Sequence, residues 1–210
     1  MATLILWPIA IAVTDTLYPD GTLSLASYRF FFTDGYSLNN LAITVWTVAV
    51  SVAILMSIAV PLAIYLRFAH GPVAALVQAL AIFPLFVPSI ILAYAFVRVL
   101  GPNGMVDLIL NALGLPRIHS PYLTPWGPVI GFVWDNLPLS VLILLAGLSN
   151  VSQASVEAAR DVGAGRRAVL AHILVPRLWP SLLVAASFVI LGLFSAFTFP
   201  YLLGPAAPEM

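Results

Sequence analysis

Asp135 is the one acidic residue set well inside an apolar run, and it is followed by Asn136 and Pro138. A carboxylate at the centre of a bilayer costs about 2.5 to 3.5 kcal/mol on insertion scales, so it must face protein or water and be paired. Two roles fit such a residue. It is either a contact on a solute path, favouring a cationic solute, or a structural acid hydrogen-bonded to another helix with Asn136 as an ordinary polar neighbour. Pro84 and Pro88, four apart in a different apolar run, release backbone carbonyls. The membrane tolerates this where neighbouring helices or a water-filled path satisfy them again. Together Pro84, Pro88, Asp135, Asn136 and Pro138 are the residues from which a translocation path could be built.

A second constellation runs from Glu157 to Pro176 and is the only long polar segment between two strongly apolar ones. Ser152 or Ser155 can cap a short helix whose first turns pass through Glu157, and Gly163 stands where that helix needs a residue tolerant of positive φ. A second helix is predicted to start near Gly165 and to break or bend at Pro176, which lacks the backbone donor. The product is a helix, turn and helix protruding from a membrane. Taken alone, Glu157 reads as a solvated, dipole-favoured residue near a helix start, worth some tenths of a kcal/mol. Arg160, Arg166 and Arg167 read equally well as charge anchors on the cytoplasmic side.

Other chemistry is missing. The sequence contains no H-E-x-x-H, no G-x-S-x-G and no phosphate-binding loop, and all eight basic residues are arginine. Without lysine the chain cannot supply the lysine such a loop needs, so any nucleotide chemistry must lie on a partner. Cysteine is absent, and His70, His119 and His172 lack metal-ligand spacing. No catalytic residue, metal or cofactor is expected.

The elements that position these residues follow from composition. Charged residues make up 8% of 210 and hydrophobic ones 62%, with a mean hydropathy of +1.07. Ordinary soluble domains carry roughly 25% charged residues, so the pattern is that of an integral membrane protein built from helices of about 20 apolar residues. Net charge is zero, which speaks for no nucleic-acid partner. Five spans are predicted: Leu4 to Leu17, Leu41 to Leu66, Val73 to Leu100, Trp126 to Leu148 and Trp179 to Leu203. Leu4 to Leu17 is read as a helix clipped at its amino end, with a cleaved signal peptide as the alternative. Tyr18 to Asn40, with Pro19-Asp20-Gly21 and Asp34-Gly35 turn signals, is an external connection. A short interfacial helix is expected around Met105 to Leu113, and the chain ends in a loop from Gly204 to Met210. Gly127 and Gly131 form a lone GxxxG, a pattern that permits close helix contact.

Arginine counts near the span ends set the orientation. With Arg67, Arg160, Arg166, Arg167 and Arg177 inside, only Arg29 and Arg117 fall outside, and Arg98 lies near the outer boundary. The first residue is then cytoplasmic and Met210 external.

Glu157, Ala158 and Ala159, then three residues to Gly163, nine more to Ile173, and Pro176 three further on, resemble the EAA loop of the permease subunits of type I ABC importers. Val175 stands where that family more often has leucine. In the family the loop forms a coupling helix that rests in a cleft of the ATP-hydrolysing subunit, which implies ATPase-coupling roles for Glu157, Ala158, Ala159, Asp161, Gly163, Ile173 and Pro176. Asn103-Gly104, Trp134 with Leu137-Pro138, and Phe199 through Gly204 look like the branch serving polyamines, ferric ion and thiamine. The resemblance implies six spans in a full-length protein, so this sequence is expected to lack the last span and an amino-terminal extension.

The resulting expectation is an all-α, polytopic transmembrane bundle forming one permease domain over residues 1–210, with its coupling loop at 150–177. It would serve an ABC importer for a small polar, polyamine-like solute in a bacterial or archaeal cytoplasmic membrane. The resemblance implies as partners ABC ATPase subunits, a second permease chain of the same or a homologous kind, an extracytoplasmic solute-binding protein and membrane lipid. An ion-driven secondary transporter is the alternative, but it calls for several intramembrane ionisable residues and internal repeats, against one acid and no repeat here. An intramembrane enzyme would need a catalytic mate for Asp135.

Overall fold

The computed structural model describes residues 2–18, 21–116, 119–149 and 151–205. The expected turn at Pro19-Asp20, the outside position of Arg117, the start of the loop at Asn150 and the tail beyond Pro205 lie outside the described residues. Every regular element among the described residues is helical.

The chain divides into two units, Met1–Ile43 and Thr44–Met210. The first holds α1 (Ala2–Leu17), α2 (Ala26–Thr33) and the opening turns of α3 (Gly35–Phe68). Thr16 and Tyr28 hydroxyls meet at 3.1 Å, joining α1 to α2. The expected connection from Tyr18 to Asn40 is therefore largely helical. Asp34 explains why α3 starts at Gly35 rather than Leu41: its Oδ2 accepts the Ser37 hydroxyl at 2.7 Å and the Ser37 N–H at 2.8 Å. The Ser37 hydroxyl above all, and its N–H, hold the Asp34 carboxyl below the usual carboxylate range.

The second unit continues α3 and adds α4 (Pro72–Ile82), a 3-10 turn (Phe83–Phe86), α5 (Ser89–Leu100), α6 (Met105–Ala112) and α7 (Trp126–Leu148). The polar segment carries α8 (Gln153–Asp161) and α9 (Arg166–Val169), followed by a π-helical turn (Leu170–Leu174), α10 (Val175–Phe194) and α11 (Thr198–Leu203). Helix α7 is the axis of this unit, with faces against α10, α11, α4, α5 and the 3-10 turn. One apolar cluster gathers Ala59, Ala63, Val141, Leu144, Leu148, Val156 and Leu174; the other gathers Leu55, Ala93, Phe132, Val189, Phe199 and Leu203.

Glycine governs the second cluster. A Cβ on Gly127 would strike the Leu203 carbonyl, and one on Gly131 would strike the Phe199 ring, so the GxxxG marks the close approach of α11 to α7. That approach lets the Phe132 and Phe199 rings meet edge to face at 5.8 Å.

The outer faces are apolar as well. Phe188 and Leu191 on α10 are 61% and 69% exposed, an arrangement suited to lipid and not to water. Four stretches among the described residues are long and apolar enough to cross a membrane: Gly35–Phe68, Ser89–Ala112, Trp126–Leu148 and Arg166–Phe194. The 16-residue α1 and the stretch Pro72–Phe86 are apolar but shorter.

Two of the expected spans are built differently. Val73 to Leu100 is not one helix: α4 passes into the 3-10 turn, Val87 is extended at φ −103° and ψ 119°, and α5 begins after Pro88. Proline removes its own donor and pushes the residue before it out of helical geometry, so Pro84 and Pro88 together break the span instead of marking one face of it. The fifth span ends at Phe194, and Ser195 to Phe197 separate it from α11. Pro176 does not break its helix either. Helical backbone runs from Arg166 to Phe194, and the π turn immediately before Pro176 widens the ladder where the proline cannot bond.

Candidate functional site

The polar segment is organised by its own backbone. Ser152 is the N-cap of α8: its Oγ accepts the Ser155 N–H at 3.2 Å, while the two hydroxyls lie 2.7 Å apart. At the other end Ala164 N–H reaches the Ala159 carbonyl at 2.9 Å and Gly163 N–H reaches the Arg160 carbonyl at 2.9 Å. This paired closure is the Schellman motif, and it requires the left-handed conformation that Gly163 takes at φ +87°. Ala164 then packs with Ala159 beside the apolar cluster. After Gly165, which N-caps the next helix, the chain enters α9.

The same closure sorts the side chains. Glu157, Ala158, Asp161 and Pro176 are exposed, Ala159 and Ile173 are half-buried, and Val156, Val169 and Leu174 anchor the segment in the core. Glu157 accepts the Gln153 carboxamide N–H at 2.9 Å. It lines, with Arg160 and Arg166, a cavity of about 600 Å³ whose apolar wall includes Ile64, Val156 and Val169. At the tip of the turn Val162 is 86% exposed, the most exposed large apolar residue among those described. Its place between a helix end and a positive-φ glycine is the signal in the sequence that points to it.

Arg67 holds the root of this segment. It lies in the last turn of α3, where its Nε donates to the Leu148 carbonyl at 3.2 Å and its Nη2 to the Val151 carbonyl at 3.0 Å. The guanidinium rests 5.5 Å from the Phe68 ring centroid. Sequence reasoning read this residue as an orientation marker only.

The broken span and α7 enclose the other candidate site. The Ser89 hydroxyl, in the first turn of α5, donates to Asp135 Oδ1 at 3.0 Å, with Oδ2 at 3.3 Å. Asp135 is half-buried and takes its hydrogen bond from a different helix, as an acid in an apolar span must. Pro84, Pro88, Ser89, Asp135 and Asn136 line one cavity of about 480 Å³. Four of the five path residues thus come together, while Pro138 is buried in α7 and is not among those lining the cavity. The Asn136 carboxamide donates to the Phe132 carbonyl at 3.0 Å. Among the described residues no group of His, Cys, Asp or Glu is placed to hold a metal ion. His172 Nδ1 lies 3.1 Å from the Ala168 carbonyl of its own helical turn.

Comparison with known proteins gives this geometry a setting. Residues 57–208 match the family described as binding-protein-dependent transport system inner membrane component. The chain is 26% identical over 199 residues to the inner membrane ABC transporter permease protein YdcU of Escherichia coli (strain K12), covering 87% of this chain and 62% of that protein. It is 29% identical over 149 residues to the spermidine/putrescine transport system permease protein PotB of the same organism, covering 70% of this chain and 54% of that protein. The chain thus spans a little over half of the length of these curated relatives. A bacterial alginate ABC transporter, crystallised in complex with an alginate pentasaccharide-bound periplasmic protein, superposes with a TM-score of 0.80 over 97% of this chain and 71% of its own. Sequence identity there is 20%, so this likeness concerns the fold.

Proposed function

We propose, from the premise that this chain belongs to the family of binding-protein-dependent transport system inner membrane components, that it forms the solute path of an ABC importer and is driven by a separate ATPase. The observation that carries this reading is the α8–α9 turn: a helix capped by Ser152, stopped at Gly163 and rooted in the core, with Glu157, Asp161 and Val162 turned outward. Such a turn moves as a unit when a partner presses on it. Glu157, Ala158, Ala159, Asp161, Gly163, Ile173 and Pro176 form the coupling loop, which faces the cytoplasm and rests on an ATPase subunit. Residues 1–210 act as one permease domain beside a second permease chain, with a solute-binding protein on the outer side.

The solute passes the cavity at the α4–α5 break, where Asp135, Asn136, Pro84 and Pro88 stand together and Pro138 shapes the helix behind them. A small polar, polyamine-like solute is the reading favoured by one carboxylate in an otherwise apolar span and by the likeness to PotB. The chain itself does no chemistry; ATP is hydrolysed on the partner.

Two measurements test this. The full-length protein, solubilised gently from its own membrane, is expected to bring an ATPase subunit with it; recovery without any ATPase would refute the coupling role. Single cysteines introduced at positions 111 and 166 of this cysteine-free chain report the orientation with an impermeant thiol reagent. Labelling in intact cells is expected at 111 and not at 166, and the reverse pattern would invert the loop.

A further inference from the structure

Helix α7 and the loop that follows it reach Leu148 and Val151 before α8 begins. The last carbonyls of a helix have no partner within it, and a cation near that terminus is favoured by the helix dipole. The Leu148 carbonyl already takes the Val151 N–H at 3.0 Å, and Arg67 adds a charged donor to it and to the Val151 carbonyl from another helix, spanning 81 residues to Leu148 and 84 to Val151. Its planar fork lets two donors on one guanidinium hold two carbonyls at once. Directly after Val151 comes the Ser152 cap, so the fork closes on the residue just before α8 is capped. Apolar packing follows the same line, with Ala59 and Ala63 of α3 in one cluster with Val151 and Val156.

We infer that Arg67 is a positioning residue of the transport cycle: it fastens α3 to the root of α8, so that displacement of the coupling loop is handed to α3 as well as to α7. Without the fork the loop still caps, stops and presents Glu157 and Val162, because those features are local. What is lost is the rigid link from loop to span. This rests on the loop being the coupling element.

Arg67→Lys is the central variant, since it keeps the charge that orients the helix but leaves a single flexible ammonium in place of the fork. Arg67→Met keeps an apolar stem and removes the donors altogether. Both are placed in the full-length importer complex, reconstituted in vesicles with its solute-binding protein, and solute moved per ATP hydrolysed is measured with spermidine as the probe. Should spermidine not be carried by the parent complex, ATP hydrolysis stimulated by the native binding protein is read together with amide exchange at residues 151–156. Expected for Arg67→Lys are normal membrane levels and ATPase retention, with solute per ATP, or the stimulation, lowered about fivefold, the low end of coupling between linked sites. Arg67→Met is expected to fall further, with faster exchange at 151–156.

Unchanged coupling in Arg67→Lys, with unchanged exchange, would overturn the inference. Loss of the ATPase from that variant would overturn it too, because Arg67 would then shape the docking face itself. Gly163→Val run in parallel separates the two readings. If it alone is impaired, only the role of Arg67 fails; if it too couples and retains the ATPase normally, the coupling-loop reading fails.

Discussion

The α8–α9 turn and the α4–α5 break are both places where a helix stops, and they differ in what holds the stop. At Gly163 the freed carbonyls of Ala159 and Arg160 are taken up within the next few residues, so the turn is complete in itself and offers its side chains outward. At Val87 the N–H closes a 3-10 turn on the Pro84 carbonyl at 3.0 Å, the chain then runs extended into Pro88, and a further polar tie lies across to another helix, from Ser89 to Asp135. A stop closed by its own backbone is stiff and can transmit a push. A stop that also leans on a hydroxyl across a cavity depends on a neighbouring helix for its place, and in the proposed function this is where the solute path would change its access.

The largest effect is expected where stiffness is removed. Space around Gly163 is open, so a side chain there meets no neighbour and the whole penalty is conformational. With φ at +87° that penalty is about 1–2 kcal/mol, more for a branched residue. Gly163→Val should insert normally while transport and ATPase retention drop about tenfold, the equivalent of about 1.4 kcal/mol. Normal values of both would show that this turn is not the stiff element.

An effect of the same size is expected in the other region. Asp135→Asn keeps the shape and the Ser89 contact but removes the charge, and transport of a cationic solute should fall about tenfold with assembly intact. An unchanged rate in a normally assembled complex would make the carboxylate structural and withdraw the cationic-solute reading.

Smaller is the change at the outward face of the loop. Glu157→Lys reverses an exposed charge that a basic partner surface would meet, and exposed pairs contribute about 0.2–1 kcal/mol. ATPase affinity should weaken a few-fold, and by less at high salt; equal affinity at low and high salt would remove Glu157 from the docking face.

Smallest is the cap. Ser152→Ala should destabilise the first turn of α8 by about 1 kcal/mol, read as faster amide exchange at Ser155 with transport little altered. Protection left unchanged would mean that the packing of Val151 and Val156, and not the cap, holds that turn.

Both regions announced themselves in the sequence, but to different depths. The loop was legible nearly residue by residue: a serine, a short polar helix and a glycine at its end follow rules that act within a few positions. The break was legible only as two prolines in an apolar run. Hydropathy does not register an interruption flanked by Phe83, Leu85 and Phe86, although Val87 preceding Pro88 carried the signal for extended backbone. At Pro176 the helix runs on without a break, and the missing donor is met by a π turn beginning at Leu170, which hydropathy does not register. Arg67 stood out as a charge at a span end, and its partners could not be read there.

Helicity, membrane residence, the caps and the glycine stop were determined by the sequence alone, since composition and nearest neighbours decide them. Tertiary structure alone decided that Ser89 serves Asp135, that Arg67 grips Leu148 and Val151, and that Gly127 and Gly131 admit α11. Those contacts join residues dozens of positions apart, and only the packing of one helix on another brings their atoms within hydrogen-bonding or van der Waals reach.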